Sequence, residues 1–116
     1  MKMLHVTIQT EKFNEEIAFY QDIVGLKIVR DMRTIGRNLV FLADNEGDTC
    51  IEIIDTPQAE DAGNAYLSVG FQSEDVDAMR DRLVSMGYEA TPMISPSPTV
   101  KFFFVKDPAG VRVQFM

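Results

Sequence analysis

The chain has 116 residues, a length that suits one domain with a single hydrophobic core. Hydrophobic residues make up 46% and charged residues 25% of it, which excludes a disordered or low-complexity chain. The net charge of −7 makes nucleic acid an unfavourable partner and favours a cationic ligand.

The first half of the chain predicts a strand, a helix and three further strands. Residues 4–9 alternate between apolar and polar side chains, as in a half-buried strand. Apolar residues at helical spacing predict a helix over residues 13–24, which Gly25 is placed to end. Three strand-like runs follow, over residues 26–31, 38–43 and 49–54.

The second half repeats this order of elements. It predicts a strand at 66–72, a helix at 75–86 closed by Gly87, and strands at 88–93, 101–105 and 111–115. A common offset pairs Gly25 with Gly87 and Phe41 with Phe103. We therefore predict an α+β fold of two tandem βαβββ units in a single domain. Unit 1 covers about 1–55, a polar linker 56–64 and unit 2 about 65–116. The alternative is a βαββαβ sandwich, which needs fewer strands than the pattern indicates.

The cysteine content and the apolar runs bear on the environment of the protein. Cys50 is the only cysteine, which excludes an intrachain disulfide and a cysteine-based zinc site. The longest apolar runs are strand-sized, well short of the roughly 20 residues that cross a bilayer, and the N-terminus shows no signal-peptide pattern. We expect a soluble, cytoplasmic protein without a membrane partner.

Several motifs within this pattern carry a family resemblance that covers essentially the whole chain. They are Leu4-His5-Val6, Ala18-Phe19-Tyr20 with Gly25-Leu26, Ile51-Glu52-Ile53, Glu74-Asp75-Val76-Asp77, and Asp107-Pro108-Ala109-Gly110 leading to Gln114. With these motifs the chain resembles the vicinal oxygen chelate superfamily, which includes glyoxalase I, bleomycin-resistance proteins and dioxygenases. In layout it is most similar to the short bacterial glyoxalase I enzymes, the lactoylglutathione lyases. The resemblance implies a glyoxalase-like open barrel with a small-molecule cavity, and a homodimer.

The resemblance also implies a divalent metal, such as nickel, zinc, manganese or cobalt. The family's ligand positions fall on His5 and Glu52 in unit 1, and on Ser68 and Gln114 in unit 2. Serine is a poor ligand for a transition metal, and a glutamine amide adds no charge to hold one. The implied metal ligands are thus His5, Glu52 and Gln114, and Ser68 stands at the lost fourth position.

The resemblance further implies catalytic and ligand-binding residues. Glu52 is the candidate catalytic base, because the amide of Gln114 does not accept a proton near neutral pH. Glutathione-using members tend to have an arginine where this chain has Gln9. The candidate ligand-binding residues are Thr7, Gln9, Ser68, Lys101, Phe103 and Arg112.

Two functions remain open at this point. The first is a metal-assisted lyase or isomerase of the lactoylglutathione lyase type. The second is a metal-free protein of the bleomycin-resistance kind, which sequesters a small, cationic molecule and is favoured by the acidic net charge. A ring-cleaving dioxygenase needs two histidines and a carboxylate around iron, whereas His5 is the only histidine. Structural roles also stay open, with His5 as a hydrogen-bonded strand residue and Glu52 in a buried ion pair with an arginine.

Overall fold

A computed structural model describes all 116 residues of the protein. The chain divides into two units, Met1–Ala62 and Gly63–Met116, and each unit contains one four-stranded sheet. Each unit has the element order βαβββ. The prediction of an α+β fold built from two such units is therefore confirmed. No helix is long and apolar enough to span a membrane.

The strands of unit 1 are β1 (His5–Thr10), β2 (Lys27–Asp31), β3 (Leu39–Ala43) and β4 (Cys50–Asp55). Between β1 and β2, helix α1 (Phe13–Ala18) continues as a π-helical segment (Phe19–Val24), and a 3₁₀ turn (Met32–Ile35) follows β2. The strand order is β1-β4-β3-β2, with β1 parallel to β4 and the other pairs antiparallel. The π-helical segment ends at Gly25, whose φ of 86° lies in the left-handed region that glycine tolerates.

Alternation along these strands gives the unit 1 sheet an apolar and a polar face. The apolar face carries Ile8, Val40 and Ile53, which are buried together with residues of the helical segments. Helix α1 packs against β4. The opposite face carries Thr7, Glu52 and Phe41, which lie side by side in the registers of β1 with β4 and of β4 with β3. We call this second surface the unit 1 polar face.

The elements of unit 2 are β5 (Ser68–Phe71), α2 (Val76–Ser85), β6 (Ile94–Ser97), β7 (Val100–Lys106) and β8 (Arg112–Phe115). The strand order is β5-β8-β7-β6, and β5 runs parallel to β8. The carboxylate of Asp75 caps α2 by accepting a 3.0 Å hydrogen bond from the backbone N–H of Ala78. The core of this unit contains Leu83 of α2 together with Phe103 and Val113, which are fully buried.

The strand predicted over 88–93 is wrong, because β6 lies instead at Ile94–Ser97, a segment that contains Pro96. Pro96 is accommodated because β6 is at the edge of the sheet, where a missing N–H donor does not break a central ladder. Residue Thr91 contacts β7 without forming a strand, since its Oγ1 accepts a 2.9 Å hydrogen bond from the N–H of Phe104. The other predicted elements match the structure apart from shifts of their ends.

Candidate functional site

The parallel pairing of β1 with β4 brings three candidate side chains together on the unit 1 polar face. Thr7 lies opposite Glu52, and its Oγ1 donates a 2.6 Å hydrogen bond to Glu52 Oε1. His5 Nε2 is 3.6 Å from the same oxygen. The side chain of Glu52 is 13% exposed and that of His5 is 40% exposed. The carboxylate is thus held by a hydroxyl donor beside an imidazole, and not by an arginine.

An aromatic ring and a cation lie next to this group. The ring of Phe41, which pairs with Glu52 across β3 and β4, meets the His5 ring edge-on with 5.7 Å between centroids. On its other neighbouring strand, Phe41 pairs with Arg30, whose guanidinium carbon is 5.4 Å from the ring centroid. Sequence reasoning did not select Arg30 or Phe41 as site residues. Arg30 could not be predicted as a site residue because β2 contains a local irregularity, which the alternation of the sequence does not reveal.

A cavity of about 460 Å³ opens at the His5 end of this face. Its lining includes His5, Phe41, Arg30, Cys50 and Lys2. His5 therefore faces the cavity and also contacts Glu52. Gln9 lies two residues beyond Thr7 on β1, where its Oε1 accepts a 3.0 Å hydrogen bond from Thr56, and it is not part of the cavity lining.

The carboxylate of Asp31, next to Arg30 in the sequence, already forms an ion pair with Arg33. Asp31 Oδ2 is 2.7 Å from Arg33 Nη2, and Asp31 Oδ1 accepts a second hydrogen bond from Arg33 Nε at 2.9 Å. These hydrogen bonds lower the pKa of Asp31 below its usual value and raise the pKa of Arg33. The carboxylate nearest to Arg30 in sequence is thus paired with a different arginine.

In unit 2, three of the candidate residues share one face of the sheet. Ser68 pairs with Arg112 across β5 and β8, and Gly70 pairs with Gln114. The missing side chain of Gly70 leaves room for Gln114, whose Oε1 would be 3.4 Å from a Cβ atom at that position. Arg112 is already engaged, because its Nη1 donates a 2.7 Å hydrogen bond to the Ala65 carbonyl and its guanidinium lies 4.4 Å above the Phe104 ring.

Two of the candidate ligand-binding residues of unit 2 lie on the other face of the sheet. Phe103 is fully buried on the opposite, apolar face, where its ring stacks on Phe115. Phe104, one residue later, is the phenylalanine that shares a face with Gln114. Lys101 lies two residues before Phe103, on the same side of β7, and forms an ion pair with Asp77 of α2. Neither Phe103 nor Lys101 therefore faces Ser68 and Gln114.

The metal centre that the family resemblance implies needs more strong donors than these residues supply. His5 and Glu52 lie together, but no group of three His, Cys, Asp or Glu side chains that could hold a metal ion is present. The other two candidates, Ser68 and Gln114, offer only a neutral hydroxyl and a neutral amide. Protein zinc sites have three or four imidazole, thiolate or carboxylate ligands. The residues present do not fit a resident transition-metal ion.

Comparison with known proteins assigns the family. The profile of the Glyoxalase/Bleomycin resistance protein/Dioxygenase superfamily matches residues 2–115. The chain belongs to this superfamily. It is 28% identical over 126 residues to a lactoylglutathione lyase of Neisseria meningitidis, an alignment that covers 100% of this chain and 90% of the relative.

Two solved structures of the glyoxalase superfamily fold illustrate the range of functions among its structural neighbours. The trypanothione-dependent glyoxalase I of Leishmania major has a TM-score of 0.77 at 21% identity, covering 100% of this chain and 86% of the enzyme. An antibiotic-binding protein of a Streptomyces species has a TM-score of 0.74 at 19% identity, covering 99% of this chain and 93% of that protein. At these identities the similarity establishes the fold alone.

Proposed function

We propose that this glyoxalase-superfamily protein binds a small organic molecule in the cavity at the unit 1 polar face, without a resident metal ion. The observation that carries the proposal is the cavity itself. Its volume of about 460 Å³ falls within the roughly 300–1,000 Å³ of small-molecule sites. It joins an aromatic wall, Phe41, to the polar side chains of His5 and Arg30, the mixture by which such sites hold and orient a ligand.

The donor set and one structural neighbour support binding without a metal. His5 and Glu52 are the only strong ligand types among the family's four ligand positions, and Glu52 already accepts the hydroxyl of Thr7. An antibiotic-binding protein shares this fold, so the fold accommodates ligand binding as a function in its own right. We also propose that the protein is a homodimer and is located in the cytoplasm, as expected from the sequence. Light scattering of the purified protein tests the dimer.

A fragment screen followed by two-dimensional NMR of ¹⁵N-labelled, chelator-treated protein tests this proposal. Fragments of neutral, anionic and cationic character should include ones that shift the amide signals of His5, Phe41 and Cys50 in a saturable way. Phe41→Leu should weaken this binding, whereas Phe102→Leu, a matched change on β7 of unit 2, should not. The absence of any saturable shift on the unit 1 polar face would overturn the proposal.

A second candidate function is a metal-assisted lyase of the lactoylglutathione lyase type. The adjacency of His5 and Glu52 at 3.6 Å favours it, together with the full-length similarity to a lactoylglutathione lyase. In this candidate, Glu52 moves a proton between adjacent carbons of the substrate. Lyase assays with a hemithioacetal and added nickel, zinc, manganese or cobalt test it. Activity that is lost in Glu52→Gln but kept in Thr7→Ser would support the lyase, and inactivity with all four metals would exclude it.

A further inference from the structure

A bulge in β2 determines which way Arg30 points. Ile28 pairs with Leu42 of β3, whereas Arg30 pairs with Phe41, so the register shifts between them at Val29. In a regular strand, residues two positions apart share a face, and Arg30 would point with Ile28 towards the buried Leu42. The extra residue turns the guanidinium to the unit 1 polar face. Bulges of this kind commonly re-aim a side chain next to a binding site.

The guanidinium of Arg30 has hydrogen-bonding capacity that the protein does not use. It stacks on the Phe41 ring, and none of the three ion pairs in the structure includes it. Asp31, the adjacent carboxylate, is bound to Arg33. Asp48, which also lines the cavity, accepts a 3.1 Å hydrogen bond from the backbone N–H of Asn45. Stacking on a ring leaves the N–H groups at the guanidinium edge able to donate in the plane of the group.

We propose that Arg30 binds the carboxylate of an organic acid in the unit 1 cavity. This inference rests on the proposed function, because it names the ligand class of the same cavity. The planar, two-donor edge of a guanidinium matches the geometry of a carboxylate. The ammonium of Lys2, anchored by a 2.8 Å hydrogen bond to the Gly47 carbonyl, adds a second positive charge to the lining.

The rest of the lining suits the carbon skeleton of such an acid. Leu4, Val29 and Phe41 supply apolar walls beside the two cations. The net charge of −7 favours a cationic ligand over the protein as a whole. A bound carboxylate, however, responds mainly to the charges in direct contact with it, because solvent and salt screen the more distant ones. The carboxylates of Glu46 and Asp48 also line the cavity and balance the charges of Lys2 and Arg30. The preference for an anion therefore rests on the guanidinium edge of Arg30 itself, which no carboxylate of the protein pairs with.

Three probes with the same carbon skeleton test this assignment: phenylpropanoate, phenylpropanamide and phenylpropylamine. Their dissociation constants are measured by NMR titration against the chelator-treated wild-type protein, Arg30→Gln and Arg37→Gln. Arg37 is an exposed arginine outside the cavity lining, so both variants lose one positive charge. We expect the acid to bind the wild type about tenfold more tightly than the amide, as a hydrogen-bonded charge pair provides. Arg30→Gln should abolish this preference, and Arg37→Gln should keep it.

The other possible results of these titrations distinguish a failure of the assignment to Arg30 from a failure of the proposed function. Equal binding of acid and amide, tighter binding of the amine, or an acid preference that survives in Arg30→Gln overturns the assignment to Arg30 and leaves small-molecule binding intact. If the acid does not bind the wild type at all, the assignment also fails, and the fragment screen decides the proposed function separately. Two-dimensional spectra of both variants serve as the folding control, and they should match the wild-type spectrum away from the substituted positions, because both arginines are exposed.

Discussion

Thr7 Oγ1 and Glu52 Oε1 lie 2.6 Å apart across the parallel pair of β1 and β4, and this hydrogen bond fixes the carboxylate of Glu52 beside His5. Hydrogen bonds to charged groups are shorter and stronger than those between neutral groups. Thr7 is therefore a positioning residue for Glu52, although sequence reasoning selected it only as a ligand-binding candidate.

Loss of the Thr7 hydroxyl should destabilise the fold. Thr7→Val keeps the shape of the side chain and leaves a carboxylate that is 13% exposed without its donor. We expect a loss of about 1 kcal/mol in the free energy of unfolding, measured by urea denaturation at neutral pH. Thr7→Ser keeps the hydroxyl and serves as the control. Equal stability of Thr7→Val and the wild type would show that the hydrogen bond contributes nothing.

Adjacent phenylalanines on β7 should differ sharply in their contribution to stability. Phe103 is fully buried against Phe115, so Phe103→Ala should cost about 3–5 kcal/mol. Phe104 is only partly buried beneath Arg112, and Phe104→Ala should cost clearly less. Urea denaturation of both variants measures the difference. A larger loss for Phe104→Ala would contradict the assignment of the two faces of the unit 2 sheet.

The carboxyl group of Asp31 should titrate at lower pH than an ordinary aspartate. Its side-chain hydrogen bonds with Arg33 lower its pKa in the folded protein. The stabilising effect of this pair is complete above the pKa of an unfolded aspartate and is lost as the pH falls through the lower, folded pKa. NMR titration of the Asp31 side chain measures this shift directly.

Two variants separate the contribution of Arg33 from that of a neighbouring arginine. In Arg33→Gln the pKa of Asp31 should rise towards its usual value. In Arg30→Gln it should stay low, because Arg30 does not pair with Asp31. A normal pKa of Asp31 in the wild type would show that the ion pair does not persist in solution.

The sequence predicts those parts of the fold and site that depend on regular periodicity. Alternation over residues 4–9 places Thr7 and His5 on one face of β1, and the same parity places Glu52 beside them. The sequence could not predict the face of the sheet on which Arg30 lies. A bulge in β2 shifts the register by one residue, and nothing in the local pattern marks this bulge.

Three other features could not be predicted from periodicity, each for a different physical reason. Phe102, Phe103 and Phe104 are consecutive and chemically identical, so the pattern does not show which ring is buried. Strand β6 contains Pro96, and only its edge position makes that residue tolerable, which is a property of the sheet and not of the segment. The contact between Thr7 and Glu52 required the strand register, since the two residues are remote in sequence.

The absence of a resident metal ion is tested most directly by a thermal-melt titration of chelator-stripped protein with nickel, zinc, manganese and cobalt. The variant His5→Ala is titrated in parallel as the control. A metal that binds the folded state at about 100 times its dissociation constant should add roughly 2.7 kcal/mol of stability. That is a rise of several degrees for a domain of this size. We expect no saturable rise with any of the four metals, because the donor set of His5, Glu52, Ser68 and Gln114 does not fit them. A saturable rise that disappears in His5→Ala would contradict metal-free binding and favour the lyase.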